Sequence, residues 1–190
     1  VLAALSQDST HPERNGVIKT LVQKGATGPP LNTWLTQAVK EKDAQLLDML
    51  LQAGASIDSQ DGGPLQTAIL NKDTRSLSML LKASPPPQAL AHVFPLMRAG
   101  YSPVERRETS CLLLSHGARG SEVDQALVDA VGDTSPARDG ALIIELVRRG
   151  ADVNHDNGKA ISLAVAQVDM TILRLLCSSK PTSSSASSAL

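Results

Sequence analysis

The sequence predicts an all-α fold, a solenoid of short helical repeats, and three observations point to it. Hydrophobic residues make up 42% of the chain but aromatic residues only 2%, so the core must be aliphatic. Short apolar segments with helical spacing recur along the chain. Each of these segments ends in a glycine or a substitute for glycine, with a period near thirty residues. A period of this length is typical of repeat architectures.

The recurring segments predict one outer helix in each of six repeats. Their end markers are Gly25, Gly54, Ser84, Gly117, Gly150 and Lys180, which are 29, 30, 33, 33 and 30 residues apart. Within residues 46–51 the leucines lie one turn apart and form one face of a short helix. Gly54 then supplies the left-handed residue that ends this helix. We expect equivalent helices at 17–26, 46–55, 76–85, 110–118, 142–151 and 172–181.

A second, shorter signature predicts an inner helix in five of these repeats. It reads TWLTQAV, GPLQTAI, FPLMRAG, QALVDAV and KAISLAV, at residues 33–39, 63–69, 94–100, 125–131 and 159–165. Pro64 and Pro95 fit the first position of a helix, where no backbone N–H is missed. A small residue near the end of the signature lets a neighbouring helix approach closely: Ala38, Ala68, Ala99, Ala130 and Ala164. Each unit is therefore predicted as helix, tight turn, helix and glycine-terminated loop.

The two signatures together resemble the ankyrin repeat, G-x-T-P-L-H-x-A-A followed by V-V-x-L-L-L-x-x-G-A-D-V-N. The stretches GGPLQTAI with LLKAS, and KAISLAV preceded by RRGADVN, are similar to that pattern. The resemblance covers residues 1–181 as about six degenerate repeats, of which the first is truncated. The array also resembles divergent ankyrin arrays in large multi-repeat proteins of filamentous fungi. The resemblance implies an ankyrin-like solenoid with short or degenerate β-hairpin loops.

The chain departs from this pattern in several places. The family's histidine in T-P-L-H is replaced by Thr36, Gln66, Met97, Val128 and Ser162. The proline-rich stretch SPPPQAL at 84–90 stands where a hairpin is expected and lacks its backbone donors. The loop GDTSPARDG at 132–140 is an insertion. We therefore expect irregular stacking at 84–140, and a disordered Ser-rich tail at 182–190.

The stretch RGADVNHDNG at 149–158 places Asn, His and Asp together like a ligand set or a catalytic corner. The equivalent stretch GASIDSQDGG at 54–63 has no histidine, which favours a repeat loop with a tight turn at Asn157 and Gly158. We interpret His155 as part of this loop. His92 and His116 also lack the spacing of a metal site.

No other motif predicts catalysis. Cys111 and Cys177 lack metal-binding spacing, and two repeats separate them, so both are expected to be free thiols. The glycine-containing loops do not follow strands as a phosphate loop must, and no G-x-S-x-G elbow occurs. The sequence predicts a protein that is not an enzyme, without metal, cofactor or small-molecule substrate.

Charge and hydropathy restrict the partners. The net charge of −1 and the lack of a basic cluster argue against nucleic acid, and the doublets Arg106–Arg107 and Arg148–Arg149 are interpreted as solvated helix ends. No apolar run approaches the roughly 18 residues of a membrane span. The chain begins at Val1 without Met, so we expect a segment of a longer protein whose targeting signals lie outside it. A cytoplasmic or nuclear location is favoured over secretion, and the segment is expected to be monomeric.

The ankyrin resemblance implies a protein or peptide partner on the concave face of the solenoid. The three aromatic residues, Trp34, Phe94 and Tyr101, either anchor this partner or fill the core. Polar residues of the inner helices would form the rim: Gln37, Thr67, Arg98, Asp129 and Gln167. Loop residues would add a slightly acidic contact suited to a partly basic partner: Asp58, Asp61, Asn154 and Asp156. The alternative function is an internal structural segment of a larger signalling or scaffold protein, packed on its own neighbouring domains.

Overall fold

The structure is a computed structural model, and it describes residues 14–26, 28, 30–57, 63–98, 100–135 and 138–179. Among these residues every regular element is a helix and none is a strand, so the all-α prediction is confirmed for them. Residues 58–62 of the predicted repeat loop at 54–63, and the predicted Ser-rich tail at 182–190, lie outside the described residues. The chain divides into two compact units, Val1–Pro85 and Pro86–Leu190. The division falls within SPPPQAL, where the sequence predicted an irregularity.

The first unit has five described helices: α1 (Arg14–Gln23), α2 (Pro30–Lys40), α3 (Ala44–Gln52), α4 (Pro64–Leu70) and α5 (Thr74–Lys82). α2 packs on α3 and on α4, and α3 packs on α1 and α5. The apolar side chains between them are aliphatic apart from one tryptophan, and include Trp34, Leu35, Val39, Leu46, Leu47 and Leu50, each at most 2% exposed. The low aromatic content therefore appears in the structure as an aliphatic core.

The second unit contains α6 (Pro87–Ala91), a 3-10 helix (Phe94–Arg98), α7 (Pro103–Ser115), α8 (Ser121–Gly132), α9 (Gly140–Arg148), α10 (His155–Ala166) and α11 (Met170–Ser178). α8 lies at its centre and packs on the 3-10 helix, α6, α9 and α10. α9 packs on α7 and α11, and α10 packs on α11. Two successive helix pairs, α8 with α9 and α10 with α11, are therefore stacked within this unit.

The structure confirms a helix at each of the six outer positions and at four of the five inner positions. The exception is 94–100, where the sequence predicted one α-helix with Pro95 at its first position. The structure has α6 followed by the short 3-10 helix instead. Pro86 is extended (φ −63°, ψ 145°) and Pro87 begins α6, so the proline run starts a helix earlier than the signature suggests. The inner helix of this repeat is thus split in two.

The end markers of the outer helices have the predicted left-handed conformation. Gly25, Gly54, Gly117 and Gly150 have φ values of 84°, 85°, 91° and 91°, and Ser84 has φ 55°. Glycine adopts this conformation without a Cβ penalty, which explains why it recurs at this position. The sixth marker, Lys180, lies outside the described residues.

An aspartate caps the N-terminus of four outer helices. Asp43, Asp73, Asp139 and Asp169 each accept a hydrogen bond from a backbone N–H of the first turn, at 3.0 to 3.1 Å. We call these four residues the N-cap aspartates. Three of them also contact a basic side chain from earlier in the chain, in the pairs Lys19–Asp43 (3.3 Å), Arg107–Asp139 (2.9 Å) and Arg138–Asp169 (2.9 Å). The caps therefore link neighbouring repeats electrostatically as well as starting the helices.

Candidate functional site

The main candidate site is a cavity of about 320 Å³ within the second unit. It lies between the 3-10 helix, α7, α8 and α9, and we call it the α8 cleft. Its apolar lining includes residues from three different elements: Phe94, Met97, Ala126, Ala130, Leu142 and Leu146. Its polar lining comprises Arg98, Arg106, Ser110, Ser121, Glu122, Gln125, Asp129 and His155. An apolar interior with a limited set of polar groups is the usual composition of a binding pocket.

Local sequence features place the helices around the α8 cleft. Ser102 and Glu105 form a reciprocal capping box at the start of α7, with N···O distances of 2.7 and 3.3 Å. This cap is followed within the same helix by Arg106 and Ser110. Gly120, with φ 137°, precedes α8, which carries the opposite wall. The glycine is required there because an L side chain rarely adopts this φ.

The charged groups around the α8 cleft are largely paired with one another. Arg98 forms an ion pair with Asp129, which also accepts a hydrogen bond from the Gln125 side chain at 3.0 Å. Glu122 lies 3.2 Å from the His92 ring nitrogen. The rim therefore has polar groups of both signs and no excess of acidic charge. The slightly acidic contact was predicted for loop residues that do not line the α8 cleft, and it stays a prediction.

Arg106 has the least complete set of partners at the α8 cleft. One of its terminal nitrogens donates to the backbone carbonyl of Arg98 at 3.5 Å, which is the limit of a hydrogen bond. Its Nε atom is buried and has no hydrogen-bond partner. The residue also lines a second, more polar cavity of about 190 Å³ beside Asp133 and Asp139. A buried, unsatisfied N–H costs free energy, so Arg106 is the group that would gain most from an added acceptor.

Three of the predicted partner-binding residues come together at the α8 cleft, namely Phe94, Arg98 and Asp129. Phe94 is only 5% exposed and forms part of the wall, while the ion pair lies at the rim. Tyr101 is partly exposed and does not line the cleft. Burial and the Glu105 carboxylate raise the pKa of Tyr101, and a hydrogen bond with Thr109 acts in the opposite direction.

The other predicted aromatic anchor, Trp34, is 2% exposed in the core of the first unit. Because α2 packs on both α3 and α4, a large side chain in the middle of α2 falls inside the unit. Its Nε1 atom is buried without a hydrogen-bond partner. The structure thus corrects the idea of an exposed anchor at Trp34 and places this residue in the packing role that the sequence left as the alternative.

Three of the side chains predicted for the polar rim of the inner helices donate hydrogen bonds within their own unit. Gln37 donates to Glu41 at 2.7 Å, and Thr67 donates to the carbonyl of Gly63 at 3.3 Å, both within the first unit. Gln167 donates to the carbonyl of Val131 at 3.0 Å and so joins α10 to α8. These side chains are hydrogen-bonded to groups in their own helix or in the neighbouring repeat. Asp58 and Asp61 lie outside the described residues.

The loop that contains His155 has an architectural role in the structure. Ala151 and Val153 are 8% and 2% exposed, so the loop is fixed by its apolar residues. Asn154 donates to Asp152 through its backbone and its side chain, at 2.9 and 3.0 Å. The predicted tight turn at Asn157 and Gly158 is present within a run of three left-handed residues, 156–158, which precedes the regular part of α10.

Asp124 ties the same loop to α8. Its carboxylate accepts a hydrogen bond of 2.7 Å from the backbone N–H of Asp152. Burial raises the pKa of Asp124, although this hydrogen bond and the nearby His155 act in the opposite direction. Sequence reasoning missed Asp124, because its role depends on a contact with a residue 28 positions later.

Several residues of the α8 cleft were also not predicted, including Arg106, Ser110 and Gln125. Arg106 belongs to the Arg106–Arg107 doublet, which was interpreted as a solvated helix end. The structure instead pairs Arg107 with Asp139 and places Arg106 between two cavities. The basic doublet was the sequence signal for Arg106.

Among the described residues, no group of three or more His, Cys, Asp or Glu side chains is arranged to hold a metal ion. No helix in the described part of the chain has the length and apolar character needed to cross a membrane. Comparison of the sequence with protein-family models and with curated proteins found no match.

Proposed function

We propose that this chain is an ankyrin-like, non-enzymatic interaction module that binds a protein or peptide partner, with the α8 cleft as the contact site in the second unit. The α8 cleft is the observation that carries the proposal. The near-thirty-residue period and the left-handed end markers support the repeat architecture. Solenoids of stacked repeats present extended binding surfaces, and proteins or peptides are the partners that the ankyrin resemblance implies.

The dimensions and lining of the α8 cleft suit one large apolar side chain of a peptide. Its volume of about 320 Å³ lies at the lower end of the range of about 300–1,000 Å³ typical of ligand pockets. Phe94, Met97 and Leu146 form an apolar part of the lining. An apolar side chain that inserts there would be transferred from water to a hydrophobic environment, which is favourable. An anchor of this kind commonly contributes much of the binding energy at an interface.

The charges at the rim suit a peptide with an acidic group beside its apolar anchor. Arg98 already has a charged partner and Glu122 lies 3.2 Å from the His92 ring, whereas Arg106 has a weak carbonyl contact and one unsatisfied N–H. A carboxylate near Arg106 would add a charge-assisted hydrogen bond there. The proposed partner at the α8 cleft is therefore apolar with an adjacent acidic residue, in place of the partly basic partner expected from the loops.

The test is selection of a phage-displayed library of random peptides on the purified chain, followed by fluorescence-anisotropy titration of the enriched peptides. The variant Ala126→Phe fills the α8 cleft and should weaken binding by about tenfold or more, the loss expected when an anchor is excluded. Ala141→Phe adds the same ring at an exposed position of α9, outside the cleft, and should bind like the original chain.

Circular dichroism of the two variants checks that the helices are intact. Enriched peptides should share a large apolar residue next to Asp or Glu. Failure to enrich any peptide, or equal affinity for the Ala126→Phe variant and the original chain, would contradict the proposed use of the α8 cleft.

A further inference from the structure

The connection between α8 and α9 is longer than the equivalent connections elsewhere in the chain. Three residues join α2 to α3, α4 to α5 and α10 to α11, at 41–43, 71–73 and 167–169, whereas seven residues, 133–139, join α8 to α9. All four connections end in an N-cap aspartate, so the four additional residues lie before Asp139. Inserted loops of a repeat array are where functional residues concentrate.

This insertion contains an exposed serine that is followed by proline. Ser135 is exposed and precedes Pro136, and Arg138 is the third residue after the serine. Ser84 and Ser102 also precede a proline, but neither is followed by a basic residue at that distance. The Ser102 side chain in addition belongs to the capping box of α7. Ser-Pro with a basic residue two positions beyond the proline is the pattern that cyclin-dependent protein kinases modify.

Arginine N–H groups without an acceptor lie beside the same loop. Ser135 and Arg106 both line the polar cavity of about 190 Å³. The Nε atom of Arg106, and Nε and one terminal nitrogen of Arg138, are buried and have no hydrogen-bond partner in the described part of the chain. The other terminal nitrogen of Arg138 donates to Asp169 at 2.9 Å. Buried donors of this kind cost free energy, so an additional anion beside the loop would be stabilised by both arginines.

The position of Asp133 indicates where a phosphate on Ser135 would lie. The Asp133 carboxylate accepts a hydrogen bond of 2.9 Å from the backbone N–H of Ser135. The pKa of Asp133 is lowered by hydrogen bonds from the side chain and the backbone of Ser135, and further by the charges of Arg106 and Arg138. The Ser135 hydroxyl is therefore close to a carboxylate on which both arginines act. A phosphate on this hydroxyl would lie within reach of the same two arginines.

Phosphorylation would exchange one anion for a stronger one. The Ser135 O–H would no longer donate to Asp133, and a phosphate with a charge of about −1.5 to −2 would repel the Asp133 carboxylate. The phosphate also has three strong acceptor oxygens, which suit the fixed N–H groups of arginine. The two nearby N-cap aspartates, Asp139 and Asp169, each already have an arginine at 2.9 Å. The phosphate would thus compete mainly with Asp133.

We propose that Ser135 is a phosphorylation site, and that Arg106 and Arg138 bind the phosphate and so fix the α8–α9 connection to α7. A protein kinase would transfer the γ-phosphoryl group of ATP to the Ser135 oxygen. The O–P bond to serine forms as the bond to the ADP leaving group breaks, and the hydroxyl proton passes to the catalytic base of the kinase. New pairs between phosphate and arginine are a common means of ordering a loop. The inference does not depend on a peptide partner at the α8 cleft.

The first test is incubation of the full chain with a cyclin-dependent kinase and ATP, followed by mass spectrometry of the intact protein and of its peptides. We expect a phosphate at Ser135, and none at this position in Ser135→Ala. Ser84 and Ser102 are internal controls, since each precedes a proline without the basic residue, and both should stay unmodified. Absence of phosphate from Ser135, or equal modification of Ser84 and Ser135, would refute the assignment of the site.

The second test is a pH titration of the phosphorylated chain by phosphorus NMR. The second pKa of phosphoserine is ordinarily about 6, and nearby arginines favour the dianion. This pKa should therefore be lower in the folded chain than in the chain unfolded in urea, by about 0.5 or more. Arg106→Gln should reduce the difference. Arg119→Gln removes the same charge at an exposed position that does not line the cavity, and should leave it unchanged.

Circular dichroism of the two arginine variants checks that both are folded. Equal pKa values of the phosphate in the folded and the unfolded chain would refute its binding by Arg106 and Arg138. Equal effects of Arg106→Gln and Arg119→Gln would refute it as well, because they would show that the phosphate responds only to net charge.

Discussion

Substitution of Leu50 by alanine tests whether the first unit is held together by packing between successive repeats. Leu50 is 0% exposed on α3, a helix that packs on α1, α2 and α5. Burial of a leucine side chain contributes about 1.5–3 kcal/mol, and the cavity left by truncation adds to that loss. Because helices surround α3, the site has little freedom to collapse. We therefore expect Leu50→Ala to lower the free energy of unfolding by about 3–4 kcal/mol, within the usual range of about 2–5 kcal/mol.

The assay is urea unfolding followed by far-ultraviolet circular dichroism, whose amplitude reports the helical content. With a slope of about 1–3 kcal/mol per M, the midpoint should fall by about 1–4 M. Leu70→Ala makes the same chemical change at a position that is 64% exposed on α4, and should alter stability by less than about 0.5 kcal/mol. Equal midpoints for the two variants would show that α3 is not packed as described.

Two further predictions concern titratable groups. The pKa values of Asp43 and Asp73 are lowered: burial raises them, but hydrogen bonds and the charges of Lys19 and Lys42 outweigh burial. The pKa of Asp169 is also lowered, mainly by the hydrogen bond from the backbone N–H of Ile172. A carboxylate whose pKa is lower in the folded than in the unfolded protein stabilises the fold at pH values above the ordinary Asp pKa of about 3.9. This stabilisation is lost as the pH falls through the pKa of the folded state. Urea midpoints should therefore decrease below about pH 4, and Asp169→Asn should reduce this dependence, whereas an unchanged profile would contradict the assigned caps. Burial, followed by the charge of Glu145, raises the pKa of the partly buried Cys111 thiol, while Cys177 is exposed. In dilute protein near pH 7, Cys177 should react with a maleimide faster than Cys111, as measured by mass spectrometry of the labelled peptides, and the reverse order would contradict the described exposure.

The α8 cleft was predicted only in part. Arg98 and Asp129 were both proposed as rim residues, but their ion pair joins residues 31 positions apart and could not be deduced from either segment alone. Arg106 was interpreted as a solvated helix end, because its position between two cavities depends on how α7, α8 and α9 meet. Burial of Trp34 has the same origin, since it requires α3 and α4 to cover α2. The sequence of one chain does not show directly which distant helices pack against each other.

The helices of this protein were determined by local sequence. Apolar spacing along residues 46–51 indicates one buried helical face, and Gly54 or Gly150 ends the helix because glycine adopts a positive φ at little cost. The tertiary structure alone decided the 3-10 helix at Phe94–Arg98, the pairing of the N-cap aspartates with distant cations, and the exposure of Val168. The residues that start, continue and end a helix lie within one or two turns of each other. A cleft or an exposed face instead depends on how segments about thirty residues apart pack against each other. For that reason the repeat could be read from spacing, and the surfaces available to a partner required the packed structure.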